Sequence, residues 1–222
     1  MNYQNNMYYK MMRNDFIHHG FTYKLGLNVD TIKFNPTGSC LPGGLYFTDI
    51  DNLGTFFEFG NLIAIIKIPN DALVYKEPCG TKWKADRLII DKIDTIDSYW
   101  HIYRFCIQAV KQNGQALKYV KDQSDEVCLA AVKQTGIALK YVKDQTPEIC
   151  MEAVKQCCHA LQYVKNQTPE ICMEAVMQYG ITLKYVKDQY TELCMEAVKH
   201  YGMAFKYVKD QTPEICMEAV MQ

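Results

Sequence analysis

CMEAVKQCCHALQYVKNQTPEI, residues 150–171, is followed from Cys172 by CMEAVMQYGITLKYVKDQYTEL, nearly the same segment again. Counting from each periodic cysteine gives the units 106–127, 128–149, 150–171, 172–193 and 194–215, with a fragment, CMEAVMQ, at 216–222. Fixed-period self-similarity of this kind decides the architecture before any local propensity does. Within one unit Thr168, Pro169 and Glu170 form a helix start: a hydroxyl to cap free amides, a proline at the first helical position, and an acid at the positive end of the dipole. Ile171, Cys172, Ala175 and Val176 then share one face, while Glu174 and Met177 point elsewhere. Gly180 stands where a left-handed residue would end that helix. The following ITLKYVKDQ places Leu183, Tyr185 and Val186 on one side and Lys184, Lys187 and Asp188 on the other.

Each unit therefore reads as a helical hairpin of about two to three turns per arm, too short to be stable alone, because isolated helices under about 12 residues are marginal in water. Stacking must supply the stability, and the expected product is an all-α array of helical hairpins, an α-solenoid. It should occupy 99–222, with Tyr99, Trp100, Ile102 and Tyr103 covering its first unit. The fragment at 216–222 supplies the first helix of a further unit without its partner, an apolar end expected to promote homo-oligomer formation.

Residues 1–98 share none of this period and read as a separate α+β domain. Most of the glycines lie here, with Trp83 and the runs LIAIIKIP, ALVY and RLII, which have the character of buried strands. DIDNLGTFFEFG, 49–60, reads as its helix, and NPTGSCLPGG, 35–44, as an exposed loop.

The 222 residues carry 24 Lys plus Arg against 25 Asp plus Glu, so no net field gathers phosphate backbones or anionic lipid, and nucleic acid and membrane partners are not expected. The polar N-terminus lacks the apolar core of a secretory signal, which points to a cytosol or a particle interior rather than secretion. Six of the ten cysteines keep the repeat interval, and no Cys-x-x-Cys or His-x-x-x-His pair occurs; neither a metal nor a cofactor is expected. The same balance of charge makes the column of Lys140, Lys184 and Lys206 part of a mixed solvated face.

The pattern EICMEAVKQxGxALKYVKDQTPE closely resembles the short helical repeats, of unknown function, found in proteins of mimivirus-like giant DNA viruses and in some bacteria. The stretch HHGFTYKLGLNVDTIKFNPTGSCLPGGLYFTDIDNL, with KWKADRLII downstream, resembles the N-terminal domain that giant-virus proteins place ahead of ankyrin or short helical repeats. These resemblances imply a viral repeat protein and no activity.

The positions that differ between units cluster at the turn. Thr135 and Ile137, Tyr179 and Ile181, and Tyr201 and Met203 flank its glycine, whereas the third unit carries Cys157, Cys158 and His159 and has no glycine. A row of turns is a natural contact surface with tyrosines suited to anchoring. Thr135, Ile137, His159, Tyr179, Ile181, Tyr201 and Met203 are therefore the expected partner-binding residues of a protein-interaction module. A second reading comes from ADP-ribosyltransferases of the poly-ADP-ribose-polymerase type. His19-Gly20, Gly44-Leu45-Tyr46-Phe47 and Asp86 ahead of RLII resemble, in order, their His-Gly, Gly-x-Tyr-Phe and final acid. The resemblance implies that His19 would hold the adenosine-side ribose of NAD, Tyr46 would stack on nicotinamide, and Asp86 would polarise a ribose hydroxyl. Phe21 stands where that family has threonine or serine, and Asp86 where it has glutamate.

Overall fold

The computed structural model describes residues 7–37, 41–78 and 80–221. The chain divides into two compact units, Met1–Ala109 and Val110–Gln222. As expected, a sheet-rich α+β region comes first and a series of short helical repeats follows.

The first unit contains β1 (Tyr8–Met12), β2 (Ile17–His18), β3 (Phe21–Thr22), β4 (Gly26–Val29), β5 (Leu45–Phe47), β6 (Leu62–Lys67), β7 (Val74–Lys76), β8 (Trp83–Ala85) and β9 (Arg87–Thr95). One antiparallel sheet has the order β1-β6-β9-β4, a second the order β5-β8-β7, and β2 pairs with β3 as a hairpin. The runs LIAIIKIP and RLII form the buried central strands β6 and β9, with a register shift between Ile65 and Ile66. β1 was not anticipated, yet all five of its residues are buried, Lys10 among them. A bridge between Tyr9 and Thr48 ties the two sheets together. Their core packs Tyr8 edge-on against Phe47, 5.0 Å between centroids, beside Trp83, Leu45, Ile66 and Leu88.

The helix expected over 49–60 is α1 (Ile50–Leu53) continued by a 3-10 segment, Gly54–Phe59, and Asp49 caps it by accepting from the Asn52 N–H at 2.9 Å. The loop at 35–44 is pinched by Asn35 N–H donating to the Gly43 carbonyl at 2.9 Å; residues 38–40 of it lie outside the described residues. Tyr99 and Trp100 are buried against Phe105, whereas Tyr103 is 46% exposed.

After α2 (Tyr103–Gln112) come α3 (Asp125–Gln134), α4 (Pro147–Gln156), α5 (Pro169–Gln178), α6 (Thr191–His200) and α7 (Pro213–Met221). Ser124, Thr146 and Thr168 cap α3, α4 and α5 by accepting from the third N–H onward, and Pro147 and Pro169 open their helices. Tyr190 holds the same place before α6 and makes no such bond. Ile171, Cys172, Ala175 and Val176 are buried, the face that the spacing predicts. From α3 to α7 each helix packs on the next in chain order.

Two expectations about the unit need correction. The second arm is not an α-helix but six residues of 3-10 helix: Gly114–Tyr119, Gly136–Tyr141, Cys158–Tyr163, Gly180–Tyr185 and Gly202–Tyr207. Three residues per turn stack positions i and i+3, and the buried Gly180, Leu183 and Val186 follow that step. Nor is the glycine left-handed. Gly114, Gly136 and Gly180 have ordinary φ, and the chain turns at the extended residue before them, Tyr179 having φ −159°. The glycine is there for clearance. A Cβ on Gly136 would run into the Ala153 carbonyl of the next unit, and one on Gly180 would meet that of Ala197 at 2.5 Å.

Polar groups left by these short arms are completed across units. Gln145 Nε2 donates to the Leu139 carbonyl at 3.4 Å and to the Tyr163 carbonyl of the next unit at 3.0 Å. Its Oε1 accepts from Lys165 N–H at 2.9 Å and from Cys150 Sγ at 3.6 Å. Gln123, Gln167 and Gln189 repeat the pattern. Alongside, Lys143, Lys165, Lys187 and Lys209 each donate Nζ to a backbone carbonyl 22 residues earlier. Among the described residues no helix is long and apolar enough to cross a membrane.

Candidate functional site

The His19-Gly20 pair forms the turn of the β2–β3 hairpin, with φ of +50° and +78°, the left-handed geometry of a two-residue primed turn. This fold of the chain sets the His18 and His19 rings 4.1 Å apart. Tyr46 lies on β5 opposite Lys84 of β8 and donates its hydroxyl to the Leu41 carbonyl at 3.0 Å. His19 and Tyr46 come together on the walls of two adjoining cavities, of about 120 and 150 Å³. Asp86 lines neither. Its carboxylate accepts from Leu73 N–H at 2.8 Å and pairs with Arg87 Nε at 3.1 Å, while its backbone bonds Leu73 and Asp30. The transferase-like trio is thus brought together only in two of its three members.

The residues that dominate the smaller cavity were not anticipated. Lys10, on β1, is 4% exposed; its Nζ donates to the Tyr46 carbonyl at 3.1 Å, lies 3.3 Å from His18 Nδ1 and stands 4.5 Å above the Tyr23 ring. Burial pushes its ammonium down to about 7. His18 is pushed down to about 3, by burial first and then by the charges of Lys10, His19, Arg13 and Lys82. Lys82 completes the wall, 3.5 Å from Glu77 and above the Tyr46 ring. The only signal in the sequence was a lysine inside the apolar run YYKMM.

A pH dependence follows. Lys10 titrates near 7 when folded and near its ordinary 10.5 when unfolded, so the unfolded chain binds more protons between those values and stability rises with pH across that window. Unfolding in urea at pH 7 and pH 10 is expected to show the stability difference between wild type and Lys10→Met moving in favour of wild type at the higher pH. A difference that stays constant would contradict a neutral, desolvated amine.

In the repeat unit the predicted turn residues separate into two sets. Thr135 and Ile137 are half-buried, and Thr135 Cγ2 occupies the clearance beside Gly114; Ile181 is half-buried as well. His159, Tyr179 and Tyr201, from three successive units, form a continuous aromatic row, with ring centroids 6.0 and 5.6 Å apart. The Tyr201 hydroxyl reaches Met203 Sδ at 3.6 Å, and Met203 is 61% exposed. His159 also meets Tyr185 at 6.2 Å and Cys158 Sγ at 3.5 Å. Burial raises the Cys158 thiol, with Cys157 adding to the effect, which makes it a poor nucleophile. Lys140, Lys184 and Lys206 each lie over the ring of the following tyrosine at 4.7 to 4.8 Å. The row begins where the seam between units is irregular. Gln134 and Gln156 accept the N–H of Gly114 and Gly136, whereas Gln178, facing the unit with Cys158, turns its amide to donate to the Val154 carbonyl at 3.1 Å.

Residues 104–146 and 146–191 match a family described as "Domain of unknown function (DUF4116)". The chain is similar to three proteins of Acanthamoeba polyphaga mimivirus. "Putative ankyrin repeat protein R868" is 35% identical over 38% of this chain and 44% of that protein. "Putative ankyrin repeat protein R229" is 39% identical over 33% and 26%, and "Putative ankyrin repeat protein R896" is 36% identical over 39% and 29%. The chain thus spans less than half the length of these relatives. No solved structure matches it.

Proposed function

We propose, taking the chain as a member of the giant-virus family of repeat proteins that pair an α+β region with short helical repeats, that it is a protein-interaction module which docks a viral or host protein. The observation that carries this reading is the row of His159, Tyr179, Tyr201 and Met203, drawn from three successive units onto one stretch of surface. His159, Tyr179 and Tyr201 stand at turn positions whose residue changes from unit to unit, so the row gives this array its individuality. Aromatic side chains anchor interfaces because they offer large apolar area with few rotatable bonds. The names of the ankyrin-repeat relatives support the same class of role. Its place of action on this reading is the host cytoplasm or the virion.

The test is quantitative capture by the tagged full chain from infected cells, compared with Tyr179→Ser/Tyr201→Ser. Tyr179 is 38% exposed and Tyr201 half-buried, so the double variant should melt within a few degrees of wild type. It is expected to lose at least one protein that wild type retains, by tenfold or more; identical capture profiles would sink the proposal. The transferase reading is kept in play by one observation, the shared wall of His19 and Tyr46. A ligand stabilises only the state it binds, and millimolar NAD is expected to leave the melting temperature unchanged. A shift abolished by Tyr46→Ala would move the chemistry to the first unit.

A further inference from the structure

The smaller cavity of the first unit combines three properties. Its size, about 120 Å³, approaches that of cavities of about 150 Å³ that hold one benzene ring. Its body is apolar, with Met11, Phe47, Phe56 and Phe59 on the wall. Among the described residues its charged side chains are all basic, and no carboxylate lines it. A buried charge in a folded protein is ordinarily paired with an opposite one. Lys82 has Glu77, but Lys10 is bonded only to neutral acceptors, the Tyr46 carbonyl and His18 Nδ1, and both of those residues also line the cavity. The Lys10 amine thus lies where three lining residues meet, with no counter-ion supplied by the described residues.

We propose that this cavity binds a small monocarboxylate with an aromatic or compact apolar body, its carboxylate paired with Lys10 and its body against Met11, Phe47 and Phe56. The carboxylate supplies the missing opposite charge. The ring displaces water from a wall that offers it few partners. A neutral compound of the same shape leaves Lys10 as it was. The inference is independent of the interaction proposal, since it concerns the first unit alone.

The probes are benzoate and benzyl alcohol, titrated against the full chain by calorimetry at pH 6.5. Benzoate is expected to bind at least tenfold tighter than benzyl alcohol, and Lys10→Met to reduce that preference below threefold. Phe59 is 60% exposed on the cavity wall, so Phe59→Glu should fold normally while placing a fixed carboxylate at the site. It is expected to weaken benzoate at least tenfold with an unchanged melting temperature. Absence of benzoate binding, equal affinity for the two probes, or a preference that survives in folded Lys10→Met would overturn the proposal. If Lys10→Met does not fold, an undiminished benzoate affinity in Phe59→Glu overturns it on its own.

Discussion

Gln145→Ala is expected to lower the stability of the repeat array by about 2–4 kcal/mol, a large effect for one half-buried polar side chain. The amide makes four bonds: to the Leu139 and Tyr163 carbonyls and from Lys165 N–H and Cys150 Sγ. Alanine leaves all four partners without it, and an unsatisfied buried group loses about 1–3 kcal/mol; partial access of water at this half-buried site reduces the sum. Gln145→Glu keeps the acceptor and loses the two donated bonds, so it should fall between wild type and alanine. Asp144→Ala, one residue away and exposed, is the control and should change stability by less than about 0.5 kcal/mol. Urea unfolding of the four proteins decides the matter. An alanine variant as stable as the control would mean that the glutamine is only a surface residue.

The second expectation reverses a familiar sign. Replacing an ordinary helical glycine by alanine stabilises by up to about 1 kcal/mol. At Gly136, whose φ suits any residue, the same change should destabilise by about 2–3 kcal/mol, because the new Cβ meets the Ala153 carbonyl, with Cys157 Cβ at 2.9 Å and Gln156 Oε1 at 3.0 Å. Gly136→Val should be worse. The equivalent position in the next unit already carries a side chain, and Cys158→Ala is expected to stay within about 1 kcal/mol of wild type. If Gly136→Ala is neutral or stabilising in thermal and urea melts, the units approach one another less closely than described.

The repeat was legible because its determinants are local and periodic. Threonine-proline starts, the Ile-Cys-Ala-Val face and the buried leucine and valine of the second arm all follow from spacing along one chain. The conformation of that second arm was not. Over six residues an amphipathic pattern fits 3-10 and α geometry alike, and only the step of three from Gly180 to Val186 separates them. Gly180 itself misled, since a glycine after a helix signals a left-handed cap, whereas its actual reason is a carbonyl seventeen residues further on. The glutamine ladder hid for a similar cause: Asp-Gln after a helix reads as a solvated linker until the next unit is in place. In the α+β region the long apolar strands declared themselves, but β1, with a lysine at its centre, did not. Asp86 was placed in the right position ahead of β9, yet sequence order alone could not show that its carboxylate holds Leu73 and Arg87 instead of facing His19 and Tyr46.

In the glutamine ladder these partners lie at constant offsets: 18 residues ahead for the tyrosine carbonyl that accepts from Nε2 and 20 for the lysine N–H that donates to Oε1. Removing 150–171 would therefore bring Tyr185 and Lys187 to Gln145 in the places of Tyr163 and Lys165. A gene encoding such an array can gain or lose copies by unequal recombination between its own near-identical segments, and each product keeps its bonding register. Copy number becomes heritable variation with little risk to folding, and the turn residues of each new copy are free to diverge toward a different contact.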